Sequence, residues 1–304
     1  MDGGHVRPGL SRRALIGSAA AVGAGMAFAA PVFAAPAPRQ FDIEAAGGRK
    51  VSITEWRPAH TVGTILFSHG AASSPRFYEV MIGPMVAAGW HVLAPLHVDS
   101  REHPDTAKFP GLASWKARLE DFAALTDHIG HRPYVAVGHS YGGLTALVLG
   151  GAQSVAPQGW SGPQSDGKAK AVIAFSPPAA IPVLITREGY GKLSVPALVQ
   201  TGTLDLVPGM TATDPDGWKV HLDAYEAAAP GGHRYGLVLS DVSHYFGGLI
   251  CDYAQKGPPA VQGLKDANRI AGLFLGAYGR GDGKALAKLD AAVSPNLPVR
   301  LMKK

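Results

Sequence analysis

The chain has 304 residues, of which 46% are hydrophobic and 17% charged, with 28 Lys and Arg against 23 Asp and Glu. That composition suits a packed globular core and excludes intrinsic disorder, and the net charge of +5 has no basic run or Arg/aromatic interleaving that would suit nucleic acid. The single cysteine, Cys251, excludes an intrachain disulfide and a Cys/His zinc site.

In chain order, the first element is not part of a fold. Ser11-Arg12-Arg13 precedes an Ala- and Gly-rich apolar run broken at Pro31 and ending at Val32-Phe33-Ala34. A charged start, an apolar middle and a small-residue cleavage site make an export signal over residues 1–34, and the paired arginines resemble the bacterial twin-arginine type. Its removal leaves 25 basic and 22 acidic residues, 25 minus 22 or +3. The expected product is periplasmic or secreted, has no stable membrane span, and meets the export machinery only as precursor. Residues 35–40 read as a short linker and 41–304 as a single domain.

Within that domain, β-rich runs alternate with helical patterns. Lys50–Trp56 and Thr64–Phe67 read as strands, Tyr78–Ala88 as a helix stopped at Gly89, and Trp90–Leu96 as a strand. Ser114–Ile129 reads as a helix capped by Ser114, with Trp115, Leu119, Phe122 and Leu125 at helical spacing. Strand Tyr134–Val137, helix Leu144–Leu149, strands Ala171–Phe175 and Ala197–Gln200, helix Trp218–Ala228 and a last strand Tyr235–Leu239 follow. Leu264, Ala267, Ala271, Phe274 and Tyr278 stripe a closing helix. Such alternation predicts an α/β fold, a mostly parallel sheet with helices on both faces and chemistry in the turns at strand ends.

One such turn is Gly138-His139-Ser140-Tyr141-Gly142-Gly143, between a strand and a helix. G-x-S-x-G in that setting is a nucleophile elbow, in which the flanking glycines permit the tight turn and Ser140 is the nucleophile. A serine needs a base and an acid that orients the base, in the order Ser, Asp or Glu, His along the chain. Asp205 follows the strand and Gly turn of Ala197–Gly202; Asp214, Asp216 and Asp223 are rivals placed in a polar loop or on a helix. His244 follows the last strand, whereas His233 precedes its strand and His221 falls within a helix. The oxyanion of the tetrahedral intermediate should be met by the backbone N–H groups of Tyr141 and Ala71. His69 and His139 read as structural neighbours of the elbow. Tyr141 and Tyr245, beside catalytic positions, are candidates for contact with substrate or for ordinary packing.

These residues resemble the α/β-hydrolase superfamily over Phe41 to Tyr278, carried by His69-Gly70, Gly138–Gly143, Asp205 and His244. The branches most alike are dienelactone-hydrolase-like proteins, chlorophyllase-like esterases and bacterial polyester hydrolases. The chain differs from dienelactone hydrolases proper in having Ser rather than Cys at the elbow, and it has no HGGG motif. The resemblance implies a serine esterase with a minimal cap, since Pro177–Ser194 is the only room for one. It implies, too, action on a small-molecule or polymeric ester without metal or cofactor. Peptidase and thioesterase activities share this fold, and a non-catalytic binding protein would have lost a member of the Ser-Asp-His set. No G-x-G-x-x-G follows the first strand, which argues against a dinucleotide enzyme.

Overall fold

A computed structural model describes residue 1 and residues 37–206, 213–255 and 257–304. The expected export signal falls almost wholly outside the described residues. The strands are β1 (Arg39–Ala45), β2 (Arg49–Trp56), β3 (Gly63–Ser68), β4 (Trp90–Pro95), β5 (Tyr134–His139), β6 (Ala169–Phe175), β7 (Ala197–Leu204), β8 (Arg234–Ser243) and β9 (Val299–Lys303). They form one sheet in the order β1-β2-β4-β3-β5-β6-β7-β8-β9. Pairing is parallel from β4 through β3, β5, β6 and β7 to β8, and antiparallel at both edges.

The helices are α1 (Glu79–Ala87), α2 (Ala113–His128), α3 (Tyr141–Leu149), α4 (Arg187–Gly191), α5 (Asp223–Ala227), α6 (Val261–Phe274) and α7 (Gly283–Ala291). Alternation along the strands sorts them between the two faces. Ile65, Phe67, Val135, Val137, Ile173 and Leu237 pack with Met81, Ile82, Ala267 and Phe274 of α1 and α6. Their neighbours Leu66, Ala136, Val172 and Val238 point the other way, onto Trp115, Phe122, Leu147 and Tyr190 of α2, α3 and α4. A strand buried on both faces must be apolar at successive positions, which is why the central runs lack a polar alternation.

The edges were not legible as strands. β1 begins at Arg39, inside the stretch read as linker, and only Phe41, Ile43 and Ala45 turn inward. β9 is a short, charged run whose one buried residue is Leu301, so the strand read as last, β8, has a neighbour beyond it. α2 also differs in its start. It opens at Ala113 after the Pro110-Gly111 turn, and Ser114 lies in its first turn with its hydroxyl donating to Gly111 O at 2.8 Å, not capping the helix. Between Pro177 and Ser194 there is only the five-residue α4, started by Thr186, whose side chain accepts from Gly189 N–H. No helix among the described residues is long and apolar enough to cross a membrane.

Register decides where the chemistry can sit. Ser68 is level with Gly138, His139 with Phe175, and Phe175 with Gln200. Leu204 is level with Ser243 one strand further on. The carboxyl ends of five parallel strands therefore open onto one edge of the sheet, and the turns that follow them meet there.

Candidate functional site

Ser140 links β5 directly to α3 and has φ 55° and ψ −123°, a left-handed conformation strained for a residue with a side chain. The turn has room for no other backbone. A Cβ on Gly138 would stand 2.1 Å from Gly142 O, and one on Gly142 would stand 2.0 Å from Ser68 O. Ser140 N–H is tied to Phe175 O at 2.8 Å, which leaves the half-buried hydroxyl raised above the strand ends.

Asp205 is fully buried, and its Oδ1 accepts from His244 Nδ1 at 2.7 Å. Its other oxygen accepts from the Thr201 hydroxyl at 2.8 Å. Burial alone would raise this carboxyl. The opposing charge of His244, its hydrogen bond and His221 overcome that and hold Asp205 well below the usual carboxylate range. With Nδ1–H committed to the carboxylate, the Nε2 lone pair of His244 is the one left to accept a proton. Ser140 Oγ and His244 make no hydrogen bond to each other among the described residues. They are joined through the backbone, because His139, the residue before Ser140, donates Nε2–H to His244 O at 2.8 Å.

His139 is thus a strut. Its Nδ1 accepts from Tyr78 OH at 3.0 Å, and the same hydroxyl accepts from Gly70 N–H at 2.9 Å. A buried chain of three hydrogen bonds thereby connects the turn after β3, the Ser140 turn and the loop that carries His244. Burial, then the neighbouring His244, pushes the His139 imidazole down to about 3, so it stays neutral and keeps one donor and one acceptor for this task. His69 is equally buried; its Nδ1 donates to Gly70 O at 2.7 Å and its Nε2 accepts from His97 N–H at 3.0 Å.

The two proposed oxyanion donors differ from their surroundings in having nothing to do. Tyr141 N–H is the first of α3 and Ala71 N–H lies in the exposed turn after β3, and among the described residues neither donates to a backbone or side-chain acceptor. The Tyr141 ring is half-buried, 5.6 Å from the Trp115 ring and 4.5 Å beneath the Arg118 guanidinium. Tyr245 is half-buried and meets the His244 ring edge-on at 5.0 Å. Of the rival acids, Asp214 and Asp216 are exposed, and Asp223 is engaged by Ala180 N–H and Arg187. Asp241 is exposed with φ 58°, its N–H donating to the Thr203 hydroxyl.

His221 is the residue that sequence reasoning passed over. It lies on the short helical turn Gly217–Leu222, its Nδ1 donates to Pro177 O at 2.6 Å, and its Nε2 is 3.2 Å from Asp205 Oδ1. The acid therefore stands between two imidazoles. No spacing rule reveals this, because the contact depends on how that helical turn packs against β7. Asp205, His221 and His244 are the one group among the described residues whose ligating atoms come within 4.8 Å of one another. Of the two imidazoles only His244 hydrogen-bonds this carboxylate oxygen, His221 Nε2 approaching it without a hydrogen-bond partner of its own, and a metal ion would have to displace the His244–Asp205 bond.

A family model described as the alpha/beta hydrolase family matches residues 65–294. Over 90 residues the chain is 38% identical to the mouse sn-1-specific diacylglycerol lipase ABHD11, a match covering 29% of this chain and 28% of that protein. The chain thus matches less than a third of the length of this curated relative. Among solved structures, esterase 2 of Thermogutta terrifontis has a TM-score of 0.56 at 15% identity, covering 81% of this chain and 96% of that one. Dienelactone hydrolase from Anabaena variabilis has a TM-score of 0.53 at 18% identity, with coverage of 79% and 98%. At these identities the likeness is one of fold. With the family model spanning well over half of its length, the chain belongs to the alpha/beta hydrolase family.

Proposed function

We propose that this protein is an exported serine hydrolase that cleaves carboxylic esters through an acyl-enzyme. The observation that carries the reading is the strained Ser140 at the strand ends beside the His244–Asp205 hydrogen bond. In this mechanism Ser140 Oγ attacks the ester carbonyl while His244 Nε2 takes its proton, and Asp205 holds the imidazole in that tautomer. The oxyanion so formed is received by the Tyr141 and Ala71 N–H groups. His244 then returns the proton to the departing alcohol oxygen, and a water molecule, deprotonated by the same nitrogen, attacks the acyl carbon and releases the acid while His244 hands that proton to Ser140 Oγ. The short segment between Pro177 and Ser194 favours an open cleft over a lipase-type lid.

The test is turnover of p-nitrophenyl esters of increasing acyl length beside aminoacyl anilides and thioesters, with fluorophosphonate labelling of the purified protein. Ester turnover with one covalent adduct is expected, and Asp205→Asn should lower kcat by about 10^3–10^4-fold by destroying the productive tautomer. Preferred turnover of anilides or thioesters would move the assignment to a peptidase or thioesterase on the same fold. A labelled protein is required in every case; the absence of both turnover and label would end the serine-hydrolase reading.

Export is supported by the Ser11–Ala34 pattern. Cell fractionation should find the shortened product outside the cytoplasm, and the pair of changes Arg12→Lys and Arg13→Lys should retain the precursor inside. Continued export of that variant would point to a different route.

A further inference from the structure

Arg118, on α2, is completely buried directly beneath the turn that follows β3, and every N–H of its guanidinium has an acceptor. Nε and Nη2 bind the two oxygens of Asp99 at 2.9 and 2.8 Å. Nη1 donates to His69 O at 2.9 Å and to the Ser68 hydroxyl at 3.2 Å, and Nη2 donates to Gly70 O at 3.3 Å. The face of the same guanidinium lies 4.5 Å from the centre of the Tyr141 ring. A buried, fully bonded cation that gives three of its hydrogen bonds to the successive residues Ser68, His69 and Gly70 is an expensive arrangement unless the turn they lead into must hold one shape.

The geometry points to Arg118 as the positioning residue of the oxyanion hole, and this inference rests on the serine-hydrolase reading above. Gly70 C=O and Ala71 N–H belong to one peptide plane and point in opposite directions, so fixing the oxygen fixes the direction of the N–H. Gly70 O is held from behind by Arg118, by His69 Nδ1 at 2.7 Å and by Ser73 N–H at 3.3 Å. The preceding peptide is pinned at both ends as well, His69 O by Arg118 and Gly70 N–H by the Tyr78 hydroxyl. Of these groups only Ala71 N–H is unclaimed, and it faces away from the clamp. Electron density drawn from Gly70 O toward a cation and two further donors also makes the Ala71 N–H a stronger donor. Through its contact with the Tyr141 ring, Arg118 braces the residue that supplies the second N–H. Arg118 is itself completely buried, so it acts through these two residues and not on substrate.

The experiment compares wild type with Arg118→Met and Arg118→Lys. Active sites are counted by fluorophosphonate titration, so that kcat is expressed per competent serine. Affinity for a trifluoromethyl ketone, which adds to the serine as a tetrahedral oxyanion, is measured alongside KM for the ester. Arg118→Met should lower kcat about 10^2-fold with KM within about threefold of wild type, and should weaken the ketone in parallel with kcat/KM. Arg118→Lys can reach one carbonyl but not clamp two, and should recover part of that loss. If the methionine variant does not fold, the lysine variant alone decides, with a fall of about 10-fold or more in kcat expected. A folded variant of either kind that keeps wild-type kcat per titrated serine and wild-type ketone affinity would overturn the proposal. A wild-type protein that neither labels nor turns over ester would instead overturn the reading on which it rests.

Discussion

Ser140→Ala should fold and melt as the wild type does while losing about 10^6-fold in kcat toward any ester the wild type accepts. The stability half of this expectation follows from local geometry. The residue's backbone is held at φ 55° by the hydrogen bond from its N–H to Phe175 O and by the packing of Gly138 against Gly142, none of which uses the hydroxyl. Alanine keeps the Cβ and the same strain, so the elbow is neither relieved nor burdened. The activity half follows from the division of labour. Without an oxygen at this position His244 has no hydroxyl to deprotonate, and only the oxyanion donors and substrate binding remain to accelerate attack by water. Intact-mass measurement after fluorophosphonate treatment separates the two halves, with one adduct on wild type and none on the variant. An adduct on the variant would place the nucleophile elsewhere in the chain.

Gly142→Ala is expected instead to destabilise the fold together with the site. The added Cβ would fall 2.0 Å from Ser68 O and 2.6 Å from His69 O, both backbone atoms. Those carbonyls cannot step aside cheaply. Ser68 ends β3, paired with Gly138 in the sheet, and His69 O is held by the buried Arg118. Relief would require α3 to withdraw from the sheet, opening the packing of Leu144 and Leu147 against Leu66 and Ala136. A loss of about 4 kcal/mol or more is therefore expected, at the extreme of single substitutions. Gly272→Ala is the control. That glycine is exposed on α6 with open space around its Cβ position, so alanine there should be neutral or stabilise by about 0.5–1 kcal/mol. Urea denaturation of the two variants beside wild type measures both differences, and equal midpoints for Gly142→Ala and wild type would refute the packing argument.

The central strands were readable in the sequence because burial on both faces demands uninterrupted apolar runs such as Ala171–Phe175. The edge strands were not, since β1 and β9 bury one face or less and are interrupted by charge, Arg39, Asp42 and Glu44 in the first and Arg300 and Lys303 in the second. The elbow was readable for a similar reason. Two glycines around Ser140 reflect clashes with backbone atoms, and such clashes leave a mark in the sequence wherever they occur. His244 and Asp205 were placed by their position after strands, and the structure brings those two side chains into hydrogen-bond contact at 2.7 Å.

What lay beyond the sequence is the set of contacts made by residues whose type and spacing say nothing. Arg118 is a charged residue among the apolar positions of Ser114–Ile129 with nothing in its spacing to single it out, and His221 is one of 12 histidines. Only when α2 packs beneath the turn after β3 does the guanidinium find His69 O and Gly70 O, and only when the helical turn carrying Trp218 closes on β7 does His221 reach Asp205. The alternation of apolar runs and the glycine pattern by themselves determined a mostly parallel sheet with a serine turn at its carboxyl edge, because burial and steric exclusion act on residue type at each position. Which polar side chains brace that turn was decided by tertiary structure, because a hydrogen bond between distant segments exists only once packing has brought donor and acceptor within about 3 Å.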